Sequence, residues 1–284
     1  MKNRELNFTG DRPILYIVAS PIGNLNEVSP RVLDTLNDCD IIACEDTRVS
    51  AKLLAHFNIK KELISCREHN EEETSIKLIE LIKEGKKIAY LSDAGYPCIS
   101  DPGNRLIIDA LNSDIKISVI SGSNAAINAL VGSGLSTDKF YFHGFLNPKH
   151  NVRVEELRCL FLRKETLIFY EAPHRIGDTL NDLYSVFGSR KACIARELTK
   201  KHEEFIRGNL EELKIIDPKT LKGEMVVVVE GNDDEQPINM NDEDIRKMVR
   251  NLTDIGVSAK DAIRQVSELL NIKKNYIYKI YHTN

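Results

Sequence analysis

Short apolar runs alternate with helical patterns along most of this chain, and few folds accept that rhythm. Ile14 to Ala19, Asp40–Cys44, Lys87–Leu91 and Ile115–Ile120 each read as a buried strand. Between them, Ser29-Pro30 starts a helix, with serine as N-cap and proline at the first helical position. Asn70 can cap another helix over 71–84, which carries Ile76, Ile79 and Ile82 at spacing three beside Leu78 and Leu81. This β-α alternation predicts an α/β fold with a parallel sheet covered by helices.

A second block begins near Gly122. Phe140–Phe142, Thr166–Tyr170, Lys191–Ala195 and Glu224–Glu230 read as strands, the last so apolar that it should be central. The chain of 284 residues therefore divides into an α/β domain over 1–121 and a second over 122–232. Gly231 to Pro237 is polar and reads as a linker. The tail, 233–284, carries three short helical patterns over 242–254, 259–269 and 273–281. Ser258 can cap the second, and Ala262, Val266, Leu269 and Leu270 give it an apolar face. Short helices joined by a tight turn suggest a helix-turn-helix-like unit.

The net charge is −4, so any nucleic-acid contact must come from a local basic patch. Two such patches exist. Lys149-His150-Asn151-Val152-Arg153 is one, with Arg158, Arg163 and Lys164 following. The other is the end of the tail, where 260–284 holds five Lys or Arg against two acids, Lys273 and Lys274 among them. Lys149, Arg153, Lys273 and Lys274 are the candidate RNA contacts. Either patch could equally be an ordinary solvated face. Six cysteines without a C-x-x-C pair read as free thiols rather than a disulfide framework or a zinc site. No metal-ligand constellation is visible. The polar start, Met1 to Arg12, lacks a signal-peptide core, and no apolar run approaches a membrane span, which predicts a cytoplasmic protein.

The segment Ser92 to Gly103 joins a strand to a helix and holds two glycines, two prolines, two serines and two aspartates. Open α/β sheets bind ligands outside the carboxyl ends of their strands. Glycine there admits close ligand approach, and proline stiffens the turn. A cradle for a polar cofactor explains this composition better than a mere connection does. Ser20–Leu25 holds the equivalent place after the first strand. It is not G-x-G-x-x-G, which argues against an ordinary dinucleotide site. Ser121–Asn124 is a third such turn.

Charged turns follow four further strands. Glu45-Asp46-Thr47-Arg48, Arg67–Asn70, Glu171-Ala172-Pro173-His174-Arg175 and Arg196–Lys201 repeat one arrangement. Any one of them alone could be a helix N-terminus favoured by the dipole. Together with the 92–103 loop they point to one site.

Read in order, these segments resemble the tetrapyrrole methylase superfamily, in its RNA-modifying branch. The likeness runs from Leu15 to Gly231, and Glu45–Arg48 with Glu171–Arg175 are its most specific parts. It implies two α/β domains with S-adenosylmethionine folded in a cleft between them, and a homodimer. It also implies 2′-O-methylation of a cytidine ribose in 16S rRNA of the small ribosomal subunit. Carried onto this sequence, the cofactor residues are Pro21, Gly23, Ser92, Asp93, Ala94, Gly95, Pro97, Ser121, Ala125, Phe142, Gly144 and Glu224. Glu45, Arg48, Glu171, Arg175, Arg196 and Lys200 are the catalytic candidates.

Methyl transfer from a sulfonium is an in-line displacement, so positioning contributes most. A ribose hydroxyl needs its proton accepted or its developing charge stabilised. Glu45, Asp46, Glu171 or Glu197 could accept the proton, and Arg48, Arg175, Arg196 or Lys200 could hold a phosphate or the alkoxide. Two other readings stand beside this one: a methyltransferase for a tetrapyrrole or other small molecule, and a non-catalytic RNA-binding assembly factor. The basic segments weigh against the first, and stoichiometric cofactor binding would weigh against the second.

Overall fold

The computed structural model describes residues 6–7, 13–233, 241–254, 256–270 and 272–282. The expected polar start over 1–12 lies mostly outside them, as do 234–237 of the expected linker and the side chain of Leu269.

The first sheet is built from β1 (Ile14–Val18), β2 (Ile41–Cys44), β3 (Glu62–Ser65), β4 (Ile88–Leu91) and β5 (Lys116–Ile120), in the order β3-β2-β4-β1-β5. Its strands pair in parallel. The helices are α1 (Pro30–Asp38), α2 (Thr47–His56), α3 (Glu71–Lys83), α4 (Asn104–Asn112) and α5 (Ala125–Ser133). Successive strand residues face opposite sides. Leu15, Ile17, Ile41, Ala43, Ile88 and Tyr90 meet Leu78, Ile79 and Ile82 of α3 and Leu106 of α4. Val18, Ile42, Cys44, Ala89 and Leu91 meet Val32 and Leu36 of α1 and Leu54 of α2. Burial on both faces is why these strands read as unbroken apolar runs.

Ser29 caps α1 as expected, its Oγ accepting from Val32 N at 3.3 Å. Asn70 does not cap α3. Its Oδ1 accepts from Arg67 N at 2.7 Å and its Nδ2 donates to Ser65 O at 3.2 Å, so it closes the preceding turn instead.

The second sheet has the order β6-β7-β10-β8-β9: β6 (Phe140–Phe145), β7 (Thr166–Glu171), β8 (Lys191–Arg196), β9 (Glu204–Asn209) and β10 (Met225–Val229). β10 is central and buried throughout. The associated helices are α6 (His150–Leu160), α7 (Ile176–Phe187) and the short α8 (Leu210–Leu213). The tail forms α9 (Asp242–Asp254), α10 (Ala259–Leu270) and α11 (Lys274–His282). Ile245, Val249, Ala262, Ile263, Val266, Ile277 and Ile280 make its core, which Leu162 joins.

The compact units differ from the expected partition. The first runs through Gly132 and includes 195–205 and 223–226; the second holds the remainder, tail included. α5 stays with the first sheet, burying Ala126, Ala129 and Leu130. The tail is not a unit of its own, because its core incorporates Leu162. Gly231 and Asn232 are held to the main body. Asn232 N donates to Arg163 O at 2.7 Å, and a Cβ on Gly231 would lie 2.1 Å from Lys164 O. Cys39, Cys44, Cys66 and Cys193 are buried thiols, with burial pushing Cys39 and Cys66 up to about 12. Among the described residues no helix is long and apolar enough to cross a membrane, and no group of His, Cys, Asp and Glu is arranged to hold a metal ion.

Candidate active site

The strand order of the first sheet places its carboxyl-end loops side by side. From one edge they follow as 67–70, 45–48, 92–103, 20–25 and 121–125. The charged turns thus adjoin the glycine-bearing loops although they are distant in sequence.

The three glycine-bearing loops are tied together by hydrogen bonds. Ser20 N donates to Gly95 O at 2.8 Å, and Gly95 N donates back to Ser20 O at 3.1 Å. Ser92 Oγ donates to the same Gly95 carbonyl at 2.9 Å. Gly122 N donates to Tyr96 Oη at 3.2 Å, and Asn124 Oδ1 accepts from Ile127 N at the start of α5. Gly95 has φ +77°, and a Cβ there would stand 3.4 Å from Ile22 Cγ2 and 3.8 Å from Ser123 O. Those are ordinary contact distances, so it is the positive φ that favours glycine there. Ser20 Oγ and Thr199 Oγ1 are buried without a hydrogen-bond partner. Orphaned hydroxyls are rare in folded proteins, and a polar ligand would satisfy these two. The loop set fits a polar cofactor on that observation. Asp93 and Ala94 lie at the start of the loop, Pro97 is buried, and Ser121 is exposed.

The 92–103 loop is braced from behind. Gly103 N and Arg105 N both donate to Glu71 Oε1, at 3.0 and 2.9 Å. A Cβ at Gly103 would sit 2.2 Å from Tyr90 Cε1, so only glycine fits there. Cys98 and Ser100 hold φ values of 70° and 62°, strained for residues with side chains.

Beside this loop stands an acidic group. Asp93 Oδ1 accepts from Asp46 N at 3.2 Å, linking the cofactor loop to the turn after β2. Asp46 forks with Arg48, which donates from Nε at 3.0 Å and from Nη2 at 2.5 Å, and those bonds hold its carboxyl well below the ordinary range. Arg48 is otherwise open, 80% exposed. Arg67 Nε donates to Glu45 O at 3.0 Å. Burial, then the neighbouring Asp93 carboxylate, raises Glu45. Asp101 goes further, raised to about 6 by burial and by the negative fields of Glu45, Asp93 and Glu224.

The turn after β8 belongs to the same unit. A Cβ on Gly23 would lie 2.6 Å from Lys200 Cγ, so the lysine stem lies directly on that glycine. Lys200 Nζ reaches Glu197 Oε1 at 3.0 Å and Glu224 Oε2 at 3.7 Å. Arg196 is paired with Glu204, Nε to Oε2, at 2.5 Å. Lys200 and Glu224 thus meet beside the 20–25 loop, whereas Arg196 is turned to β9.

In the second unit the turn after β7 is a closed structure. Glu171 Oε2 accepts from Thr179 Oγ1 at 2.6 Å, and Oε1 accepts from Ala172 N at 2.8 Å and lies 3.3 Å from Arg175 Nε. Arg175 Nη2 donates to Leu146 O at 2.6 Å, just past Gly144, whose φ of +83° accompanies a register shift in β6. Phe142, half-buried, packs edge-on against Tyr170. The Glu171 side chain is sealed and both of its oxygens accept hydrogen bonds, so it orders the turn.

Arg153 is closed in too. It is 3% exposed, and its Nε and Nη2 both lie 2.7 Å from Asp182 Oδ2. Its Nη1 donates to Pro148 O at 3.2 Å. It is a buried staple of the 147–148 turn and offers no phosphate contact. Lys149, Lys273 and Lys274 are exposed. Sequence reasoning had Asp101 and Ser20 inside its loops but gave neither a role. No sequence signal marks a shared negative field or an orphaned hydroxyl. Glu71 was read only as the start of a helix.

Comparison with known proteins places this architecture. Residues 14–214 match the family model of the tetrapyrrole (corrin/porphyrin) methylases. The chain is 45% identical over 276 residues to the ribosomal RNA small subunit methyltransferase I of Halalkalibacterium halodurans, covering 96% of each chain. It is 40% identical over 292 residues to the protein of that name from Bacillus subtilis, covering 99% of each. Among solved structures, uroporphyrin-III-C-methyltransferase from Thermus thermophilus superposes with a TM-score of 0.57 at 21% identity, over 77% of this chain and 94% of that one. Diphthine synthase superposes with a TM-score of 0.59 at 17% identity, over 76% and 89%. Those two likenesses concern the fold. The chain belongs to the tetrapyrrole (corrin/porphyrin) methylase family, and within it to the family of the ribosomal RNA small subunit methyltransferase I proteins.

Proposed function

We propose that this chain is an S-adenosylmethionine-dependent rRNA methyltransferase that methylates the 2′-hydroxyl of a cytidine ribose in 16S rRNA. What carries the reading is the identity of 40–45% with the two rRNA methyltransferase relatives over nearly the whole chain, tail included. The cofactor supplies the methyl group. Pro21, Gly23, Ser92, Asp93, Ala94, Gly95, Pro97, Ser121 and Ala125 would hold it, with Ser20 and Thr199 offering their hydroxyls and Glu224 adding its carboxylate beside Lys200.

The remaining chemistry falls to side chains. Asp101 and Glu45 are carboxylates whose basicity is raised by burial and by neighbouring carboxylates, which suits either to accept a ribose proton. Arg48, exposed although forked on Asp46, stabilises negative charge on the acceptor or its phosphate. Arg196 and Lys200 are held in ion pairs that keep them beside their own turns. Arg175 holds its turn through Leu146 and leaves His174 exposed. The protein acts in the cytoplasm as a homodimer on the small ribosomal subunit or its RNA. Mapping ribose methylation at cytidines of 16S rRNA in a deletion strain tests this. One methylated cytidine should disappear, return with the wild-type chain and stay absent with Arg48→Ala. A complete methylation pattern in the deletion strain would refute it.

A further inference from the structure

The outward face of the last helix has no part in the site described above. α11 turns Ile277 and Ile280 into the tail core. At four-residue spacing its other side carries Lys274, Tyr278 and His282, which form one ridge on a helix. Tyr278 is 57% exposed, and its ring lies 4.4 Å from that of His282, tilted by 51°. Tyr281 meets His282 edge-on at 5.0 Å.

This face is fixed in place. At one end Tyr276 Oη donates to Asp242 Oδ1 at 2.9 Å, joining α11 to the start of α9. At the other, Arg246 Nε donates to Ile280 O at 3.0 Å. An exposed aromatic pair on a rigid helix costs apolar exposure that folding does not require. Its surroundings give it a use. Residues 273–282 hold Lys273, Lys274 and Lys279 and no carboxylate. Rings interleaved with cations suit a strand whose bases are unstacked and whose backbone is anionic.

We propose that the Lys274–Tyr278–His282 ridge of α11 is a stacking platform for single-stranded RNA. The proposal rests on the rRNA methyltransferase reading and adds to it a surface that holds the substrate strand. Bases stack on Tyr278 and His282, while Lys273 and Lys274 take the flanking phosphates. A duplex keeps its base faces covered and would use only the charges.

The test uses the full chain and a labelled single-stranded RNA oligonucleotide, with the matching duplex as control. Tyr278→Ala should weaken single-strand binding about tenfold and leave duplex binding unchanged. Tyr278→Phe should bind as wild type, since the ring alone is needed. Lys274→Ala should lower the salt dependence of binding, whereas Tyr278→Ala should leave that slope alone. Tyr278 is outside the tail core, so thermal unfolding of its variants should match wild type. Wild-type affinity for the single strand in Tyr278→Ala would overturn the proposal. So would a loss confined to intact small subunits with free RNA unaffected, which would mean a protein partner. If wild type methylates small subunits and Tyr278→Ala binds RNA normally, this proposal alone fails. If wild type neither methylates nor binds RNA, the parent reading fails with it.

Discussion

In the turn at 45–48 the arginine stands open to solvent and grips a half-buried aspartate. In the turn at 171–175 the glutamate is sealed, bonded at both oxygens, and its arginine is spent on a carbonyl. Both turns follow a strand and both are written with acid and arginine, so their sequences look alike. Burial separates them. A carboxylate closed in with its partners is structural, and removing it leaves buried groups unpaired. Carboxylates gathered with few cations, as Glu45, Asp93 and Asp101 are, hold one another in an unfavourable field. Reactive sites are often arranged this way.

The contrast predicts effects of different kinds. Glu171→Ala should cost about 3 kcal/mol of stability in denaturant unfolding, because Thr179 and Arg175 lose a buried partner. A variant as stable as wild type would remove the distinction between the turns. Arg48→Ala should lower turnover about a hundredfold, with thermal midpoint and S-adenosylhomocysteine affinity unchanged. A fall in stability like that of Glu171→Ala would show the first turn to be structural too.

Asp101→Asn tests the sign. Asp101 titrates at about 6 in the folded protein, above the ~3.9 of an unfolded aspartate. The folded state therefore binds more protons between those values, and wild-type stability falls as pH rises through that window. Above it the penalty is complete. Asp101→Asn should thus be more stable than wild type at neutral pH and equal to it near pH 4. Removal of a carboxylate would stabilise one turn region and destabilise the other. Equal pH dependence in both proteins would contradict the placement of Asp101 in a negative field. The smallest effect concerns the basic segment. Lys149→Ala should reduce the salt dependence of RNA binding by about one phosphate contact, whereas Arg153→Met should leave that slope unaltered.

The sequence made the interior strands legible because each is apolar on both faces. Of the four edge strands, β5 and β6 were legible too, whereas β3 and β9 escaped it. Their half-exposed residues, as in Glu62-Leu63-Ile64-Ser65, give no apolar run. The same limit applied to the site. Loops at strand ends could be read from order alone, and the sheet order then put Glu45–Arg48 beside Ser92–Gly103. Burial of individual charges could not be read. Arg153 looked like a phosphate ligand because its partner Asp182 lies 29 residues away on another helix. Asp101 looked like one more loop residue because its elevated basicity comes from Glu45, Asp93 and Glu224, three separate segments.

The central claim is that the loops at 20–25, 92–103 and 121–125 together hold S-adenosylmethionine. Calorimetric titration with S-adenosylhomocysteine addresses it directly, with wild type beside Gly95→Val and Asp93→Ala and thermal unfolding to establish that each variant is folded. The account predicts one site per chain in wild type and clearly weaker binding in both variants, Gly95→Val most of all, because a β-branched side chain is strained at the φ of +77° that Gly95 holds in the loop. Wild-type affinity in a folded Gly95→Val protein would contradict it.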